Sequence, residues 1–222
     1  MNGIENPRLP GYLAGEVNGR KEYFMQHTLT AAVIAGGKST RFGRNKLRET
    51  LAGKEIIDYA IQLGQQIARE CIIIHGDDDD FSDKGLSHYS DVVPSCGPAG
   101  GVYTALFYAA QPWVATIPGD VPLLQPAIYE YLYENRQKNT PVVAVSHKGM
   151  EPLVAIWPRA LVTNLEHFVH QRKLALHEIL EALQALTIPI PDLMADYSPR
   201  LFLNVNTQED FEQLKSILLK KS

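Results

Sequence analysis

Residues 30–46, TAAVIAGGKSTRFGRNK, join a short apolar run to a glycine-rich basic loop. The run at 30–35 consists of aliphatic and β-branched residues and has the length of a buried strand. Downstream, apolar residues recur at helical spacing over 56–68, and a second strand-like run follows at 71–75. This succession of strand, loop, helix and strand predicts a βαβ unit, whose two strands run parallel in one sheet.

The rest of the chain continues this alternation of strands and helices. Further strand-like runs lie at 113–117, 141–145 and 153–157. Proline or a capping threonine marks three later helix starts, at 97–98, at 126 and at 207. The connection at 148–150 suggests that one strand runs antiparallel. We therefore predict an α/β fold, in which a mainly parallel sheet is covered by helices on both faces.

Composition and charge limit the domain count and the classes of partner. The 222 residues suffice for one domain, which we place at 29–222 after an N-terminal extension at 1–28 that we expect to be flexible. Lysine and arginine number 21 against 25 acidic residues, so the net charge of −4 argues against nucleic acid and anionic lipid. No apolar run approaches the roughly 20 residues of a membrane span. The two cysteines exclude a disulfide framework and favour a reducing, cytoplasmic location.

A concentrated anion site stands out against this negative background. Five cations and no carboxylate fall within 38–48, namely Lys38, Arg41, Arg44, Lys46 and Arg48. The adjacent glycines let backbone N–H groups approach a phosphate, and parallel sheets bind ligands at the carboxyl ends of their strands. A solvated basic loop is the competing interpretation. A Walker A loop is excluded, because the glycine it needs five positions before Gly37 is Ala32, inside the apolar run.

Four segments of the chain match the signatures of one enzyme family. In the loop, the matching residues are Ile34, Ala35, Gly36, Gly37, Ser39, Arg41, Phe42, Gly43 and Lys46. The other segments are GPAGG at 97–101, GDVP at 119–122 and NVNTQED at 204–210. In this order they resemble the molybdenum cofactor guanylyltransferases, which are nucleotidyltransferases with a Rossmann-like, three-layer α/β/α fold. The resemblance covers nearly the whole chain from about residue 30.

This resemblance implies a reaction and a set of site residues. The terminal phosphate of molybdopterin would attack the α-phosphorus of GTP, giving the molybdopterin guanine dinucleotide cofactor and pyrophosphate, with Mg²⁺ as cofactor. By matching, Arg41 neutralises the departing pyrophosphate, Lys46 contacts the nucleotide phosphates, and Asp120 holds the magnesium ion. The implied nucleotide-binding residues are Ile34, Ala35, Gly36, Gly37, Lys46, His75, Asp91 and Asp120.

The chain departs from the family pattern in ways that leave alternatives open. His75, Gly76 and Asp77 stand where the family has Asn-x-Asn, and Asn45 replaces a residue that is often acidic. One alternative is a cytidylyltransferase or sugar-phosphate nucleotidyltransferase of the same fold. Another is a nucleotide-binding module without catalysis. Under the main interpretation, other proteins of molybdenum cofactor biosynthesis or apo-molybdoenzymes are candidate partners.

Overall fold

The structure, a computed structural model, describes residues 16–17, 20–21, 27–36, 45–77 and 79–219. Its strands are β1 (Glu16–Val17), β2 (Arg20–Lys21), β3 (Leu29–Ile34), β4 (Thr50–Leu51), β5 (Lys54–Glu55), β6 (Glu70–His75), β7 (Ser87–Ser90), β8 (Trp113–Pro118), β9 (Val142–Ser146), β10 (Gly149–Pro158) and β11 (Leu186–Pro189). Its α-helices are α1 (Ile56–Ile67), α2 (Gly97–Tyr108), α3 (Pro126–Glu134), α4 (Val162–His170), α5 (Leu176–Ala182), α6 (Ile190–Leu193) and α7 (Gln208–Leu219).

A seven-stranded sheet forms the centre of the molecule, in the order β11-β9-β10-β8-β3-β6-β7. Strand β3 pairs in parallel with β6 and β8, and parallel pairs also join β6 to β7 and β9 to β11. Strand β10 is antiparallel to both of its neighbours, β8 and β9. The carboxyl ends of β3, β6 and β8 therefore lie side by side at one edge of the sheet, where such folds bind their ligands.

Helices cover both faces of the sheet and create two apolar cores. All six residues of β3 are buried, and they serve the two cores alternately because successive side chains of a strand point to opposite faces. Ile57 of α1 and Ile128 of α3 belong to one core. Val102 of α2 and Leu165 of α4 belong to the other. The central strand is thus enclosed on both sides, which explains why all its residues except Thr30 are apolar.

The predicted architecture is confirmed. The α/β class, the mainly parallel sheet and the antiparallel strand after residue 148 are all present. Helices begin at Gly97, at Pro126 and after Thr207, as their prolines and capping residues predict. The sequence did not predict the edge strands β7 and β11 or the small hairpin of β4 and β5, because these segments are short and carry no sustained apolar pattern.

The N-terminal extension and the glycine-rich loop are described only in part. Most of residues 1–28 and all of 37–44 lie outside the described residues. Within the N-terminal extension, β1 pairs antiparallel with β2, and the Trp113 N–H donates to the Thr28 carbonyl at 3.2 Å where the chain enters the sheet.

Cys71 and Cys96 are buried free thiols. Within the described residues, no helix is long and apolar enough to cross a membrane.

Candidate active site

The ends of β3 and β8 bring a lysine and an aspartate together at the carboxyl edge of the sheet. The Gly119 N–H donates to the Ile34 carbonyl at 3.0 Å, so the chain that leaves β8 runs beside the chain that leaves β3. Asp120 follows directly, and its Oδ2 accepts a hydrogen bond from Lys46 Nζ at 2.7 Å. The lysine and aspartate side chains are 16% and 25% exposed, so a ligand can reach this ion pair from solvent.

A short 3-10 turn, Lys46–Arg48, fixes where the lysine leaves the backbone. Asn45 caps this turn, since its Oδ1 accepts the Leu47 N–H at 3.0 Å. Leu47 is 4% exposed and packs in the core. The turn is therefore anchored below by an apolar side chain and at its start by a cap, and Lys46 stands between the two.

Two neutral oxygens join Asp120 in holding the ammonium group. Lys46 Nζ donates to the Val205 carbonyl at 2.8 Å and to Asn206 Oδ1 at 3.0 Å. The Val205 N–H in turn donates to the Asp120 carbonyl at 2.9 Å, which ties this segment to the end of β8. The direction of the lysine side chain is thus set by backbone and amide groups as well as by charge.

Gly119 allows the close approach that places Asp120. A methyl group on Gly119 would lie 3.2 Å from the Ile34 carbonyl oxygen and 3.3 Å from Leu47 Cδ1. Both separations are tighter than ordinary van der Waals contact. A side chain at this position would therefore push the turn that carries Asp120 away from β3 and from the lysine.

A second carboxylate lies at the same edge on the other side of β3. Asp91 follows β7, and its N–H donates to the His75 carbonyl at 3.0 Å. A methyl group on Gly100, in the first turn of α2, would lie 3.8 Å from Asp91 Oδ2, so the glycine leaves this carboxylate uncovered by a side chain. Burial and the nearby charge of Asp77 raise the pKa of Asp91 to about 6, against the opposing effect of a hydrogen bond with Thr104.

The imidazole of His75 is buried, and both of its nitrogens have partners. Nδ1 lies 2.7 Å from the Gly76 carbonyl oxygen and Nε2 lies 3.0 Å from His88 Nδ1. Because only a protonated Nδ1 can donate to a carbonyl, the neutral ring accepts the His88 proton at Nε2. A hydrogen bond from this ring to a nucleotide would have to replace one of these two contacts.

Arg48, another of the clustered cations, is bound by two carboxylates that lie outside the Lys46–Asp120 pair. Its guanidinium contacts both oxygens of Asp83, at 2.7 and 2.8 Å, and Glu55 Oε2 at 3.1 Å. It also lies 4.6 Å from the centre of the Phe81 ring. The hydrogen bonds from Arg48 lower the pKa of Asp83 to about 2. Of the five clustered cations, Arg48 thus joins the hairpin of β4 and β5 to residues 81–83.

The structure brings the described members of the predicted site to one edge of the sheet. Six of them lie at or just after the ends of β3, β6, β7 and β8, and the seventh, the lysine, contacts one of the six: Ile34, Ala35, Gly36, His75, Asp91, Asp120 and Lys46. Gly37 and Arg41 lie outside the described residues and stay predictions.

Asp120 has the properties of a ligand for a metal ion that is shared with a phosphate group. Within the part of the chain that the structure describes, no three His, Cys, Asp or Glu side chains cluster as a ready-made metal site. Mg²⁺ usually takes only one or two carboxylates and completes its shell with phosphate oxygens and water. A partly exposed carboxylate beside a lysine fits this arrangement.

Sequence reasoning missed the roles of Val205 and Asn206, although both lie in the NVNTQED segment that marks the family. The same segment builds the start of α7. Asp210 Oδ2 accepts the N–H groups of Asn206 and Thr207 at 3.0 and 2.8 Å, and Thr207 Oγ1 accepts the Asp210 N–H at 3.1 Å. This confirms that Thr207 caps the helix, as predicted, and Asp210 completes a reciprocal capping box. The cap also fixes the backbone of Asn206, whose side chain contacts Lys46.

Comparison with known proteins identifies the family of this chain. Residues 31–186 match the family model of the MobA-like NTP transferase domain. The chain belongs to this family. The probable molybdenum cofactor guanylyltransferase of Carboxydothermus hydrogenoformans is 32% identical over 87% of this chain and 98% of that protein. The molybdenum cofactor guanylyltransferase of Rhizobium meliloti is 30% identical over 85% of this chain and 91% of that protein.

A solved structure supports the same fold. The molybdopterin-guanine dinucleotide biosynthesis protein A of Archaeoglobus fulgidus superposes with a TM-score of 0.74, at 23% identity, over 86% of this chain and 99% of that one. As a member of the MobA-like family, the chain is a nucleotidyltransferase, and enzymes of this class generally require a divalent metal ion.

Proposed function

We propose that this enzyme transfers GMP from GTP to molybdopterin, giving the molybdopterin guanine dinucleotide cofactor and pyrophosphate, with Mg²⁺ as the metal. The names of its relatives support the substrates. The observation that carries the proposal is the Lys46–Asp120 ion pair at the carboxyl edge of the sheet, where a triphosphate can meet both a cation and a metal-binding carboxylate. A cytoplasmic location, consistent with two buried free thiols, belongs to the same proposal.

The reaction requires positioning and charge rather than a protein nucleophile. The phosphate of the acceptor is already anionic and attacks in line, so the enzyme has to neutralise negative charge that spreads over the transferring group. We assign this task to Lys46. Its ammonium group is held toward Asp120, Val205 and Asn206, and phosphate oxygens of a bound nucleotide would compete for the same protons.

Asp120 is the residue we assign to the metal. Mg²⁺ held there would neutralise phosphate oxygens and orient the triphosphate. The aspartate suits this role because its carboxylate is partly exposed and its backbone is locked by Gly119 on one side and by the Val205 N–H on the other. Arg41 is proposed to neutralise the departing pyrophosphate.

The nucleotide itself is assigned to the edge from β3 to β7. The backbone at Ile34, Ala35, Gly36 and Gly37 is proposed to cradle the triphosphate, since glycine lets N–H groups approach phosphate closely. Asp91 and His75 lie further along the same edge and are proposed to contact the nucleoside. For His75, this means exchanging the bond to Gly76 or to His88 for one to the ligand.

The purified full chain tests this function directly. It is mixed with molybdopterin, Mg²⁺ and GTP, CTP or ATP, and the dinucleotide product and pyrophosphate are separated and quantified. We expect transfer from GTP alone. Transfer from CTP would assign the chain to cytidylyl chemistry. Tight nucleotide binding without product from any of the three would instead indicate a binding module.

A further inference from the structure

The hairpin of β9 and β10 stands at the carboxyl edge, next to β8, and its geometry is irregular. Gly149, at the turn, has φ of +113°, a conformation that favours glycine. The pairing of β10 with β9 shifts register between Met150 and Ala155, so extra residues of β10 bulge there. Bulges of this kind often sit beside active sites, where they redirect side chains. The bulge begins with Glu151.

A directed hydrogen-bond chain holds the Glu151 carboxylate. The Lys148 N–H donates to Ser146 Oγ at 3.0 Å, and Ser146 Oγ donates to Glu151 Oε1 at 2.7 Å. Ser146 is only 5% exposed, so its hydroxyl is sheltered from water. Within the described part of the chain, the Glu151 side chain accepts a hydrogen bond from Ser146 alone. Since each carboxylate oxygen accepts about two hydrogen bonds, Oε2 and part of Oε1 stay open to a ligand.

The amino-terminal end of β10 lies at the same edge of the sheet as Asp120. Strand β10 runs antiparallel to β8, with Ala155 opposite Thr116 and Pro158 opposite Trp113. The residues of β10 that precede Ala155, Glu151 among them, therefore lie toward the edge at which β8 ends and the chain continues to Asp120.

The hairpin lies near residues that precede and follow the segment that holds the lysine. The His147 N–H donates to Tyr197 Oη at 3.1 Å, and the charge of Lys148 acts on Asp210 and contributes to lowering its pKa. Asp210 caps the helix that starts directly after the Lys46-binding segment. The hairpin thus flanks the Lys46–Asp120 pair on the side of β10, whereas Asp91 flanks it on the side of β6 and β7. If the nucleotide binds on the side of β6 and β7, the side of β10 is available for the second substrate.

We infer that Glu151 is a specificity-determining residue for the acceptor and binds the paired N–H donors of its pterin ring. This inference rests on the proposed function. A pterin presents a ring N–H beside an exocyclic amino group, and a fixed carboxylate accepts two such parallel donors with both oxygens. Ser146 acts as a positioning residue, because it turns the carboxylate without meeting the ligand.

A matched ligand pair tests the inference without requiring turnover. The probes are a pterin that carries a phosphorylated side chain at carbon 6 and the corresponding lumazine, in which a carbonyl replaces the amino group. Binding to the full chain is followed by fluorescence titration. We expect the wild-type protein to prefer the pterin by about tenfold or more, and Glu151→Gln to reduce this preference to near one. Glu178→Gln, an exposed change on α5, should keep the wild-type preference.

Further measurements separate a recognition role from a structural one. Ser146→Ala should weaken pterin binding yet keep the preference over lumazine, because the carboxylate is still present. Affinity for Mg²⁺ and GTP should be the same in all three variants. A full pterin preference in Glu151→Gln, or no preference in the wild-type protein, would overturn the inference. Should Glu151→Gln unfold, Glu151→Asp takes its place, and a preference unchanged by the shortened side chain would equally overturn it.

These experiments distinguish a failure of the inference about Glu151 from a failure of the proposed function. GMP transfer to molybdopterin by the wild-type protein, with an unchanged preference in Glu151→Gln, leaves the function standing and removes the inference. A preference that depends on Glu151, without any GMP transfer, does the reverse: the pterin site stands and the proposed reaction falls.

Discussion

Lys46 is paired within the protein, and we propose that its ammonium group also binds the phosphate of the ligand. Its ammonium group contacts Asp120 and two neutral oxygens. Asp120 is 25% exposed, so water can solvate this carboxylate when the lysine is absent. Exposed or partly exposed ion pairs contribute little to folding stability. We therefore expect the loss of the lysine to affect the proposed reaction more than the stability of the fold.

Lys46→Ala should lower the rate of GMP transfer by a factor of about 10² to 10³, the loss typical of one preorganised charge partner in phosphoryl or acyl transfer. Thermal unfolding should stay close to that of the wild-type protein. Lys138→Ala, an exposed lysine in the loop between α3 and β9, is the matched control and should keep full activity. Wild-type turnover in Lys46→Ala would remove the lysine from the mechanism.

Asp91 offers a prediction that depends on pH. Burial raises its pKa in the folded protein to about 6 from an ordinary 3.8, so the folded state holds a proton that the unfolded state has already released. Stability therefore falls as pH rises from about 4 to about 6 and stays lower above that range. Below pH 4 the carboxyl is protonated in both states and carries no penalty.

Asp91→Asn should consequently stabilise the protein at pH 7 by about 1 kcal/mol, after allowance for the solvent that reaches this side chain, and should leave stability at pH 3.5 unchanged. The same variant should bind GTP more weakly, a trade of function against stability. Denaturant unfolding at the two pH values, with a GTP titration beside it, measures both effects. Equal stability of variant and wild type at pH 7 would contradict the assigned cause of the pKa shift.

At this scale the sequence predicts the charged residues better than their supports. Lys46 and Asp120 were identified because they lie in two of the four segments that resemble the family signatures, and their charges suit phosphate and metal chemistry. The Val205 carbonyl that holds the lysine is not visible, because any residue supplies a carbonyl and the contact joins positions 159 residues apart. The contact of Asn206 could have been anticipated, since this residue lies in the NVNTQED segment at 204–210, which matches a family signature.

At the scale of elements, the contact of α1 with the sheet depends on a missing side chain. A methyl group on Gly64 would lie 2.7 Å from Cys71 Sγ on β6 and 3.2 Å from Ala31 Cβ on β3. Gly64→Ala should therefore destabilise the fold by about 1 to 2 kcal/mol, since the overpacking outweighs the better helix propensity of alanine. Gln65→Ala, on the exposed side of the same helix, should be neutral or slightly stabilising.

The double variant shows whether the thiol is the obstacle. Cys71→Ala removes the sulfur, so adding it to Gly64→Ala should restore part of the lost stability, although Cys71→Ala alone is destabilising because it leaves a cavity. Denaturant unfolding of the two single variants and the double variant gives the coupling. Strictly additive losses would mean that Ala31, not Cys71, limits the space.

Among the elements, the strands that could be predicted are those whose burial requires a run of apolar residues. Strands β3, β6 and β8 are enclosed on both faces and read as continuous apolar runs. Strand β7, with the sequence SHYS, is an edge strand without a fully buried residue, so its pairing with β6 comes from backbone hydrogen bonds that any sequence could make. The bulge in β10 was equally invisible, because register is a property of two strands together.

At the scale of the whole molecule, the proposed ligands all touch one sheet. The nucleotide side, the lysine with its aspartate, and the hairpin at Glu151 are carried by strands from β7 to β9. A ligand bound across this edge therefore stabilises the folded state as a whole, because the unfolded chain has no such edge to bind it.

Mg²⁺ with GTP should accordingly raise the unfolding temperature of the wild-type protein. At a GTP concentration of about 100 times the dissociation constant, the added stability is roughly 2.7 kcal/mol, which for a domain of this size corresponds to a shift of about 5 to 10 °C. In Asp120→Asn the amide lacks the negative charge that a hard dication prefers, so adding Mg²⁺ to GTP should bring little further shift. CTP with Mg²⁺ serves as the matched control ligand. An equal Mg²⁺-dependent shift in Asp120→Asn would leave Asp120 as a turn residue and move the metal to another group.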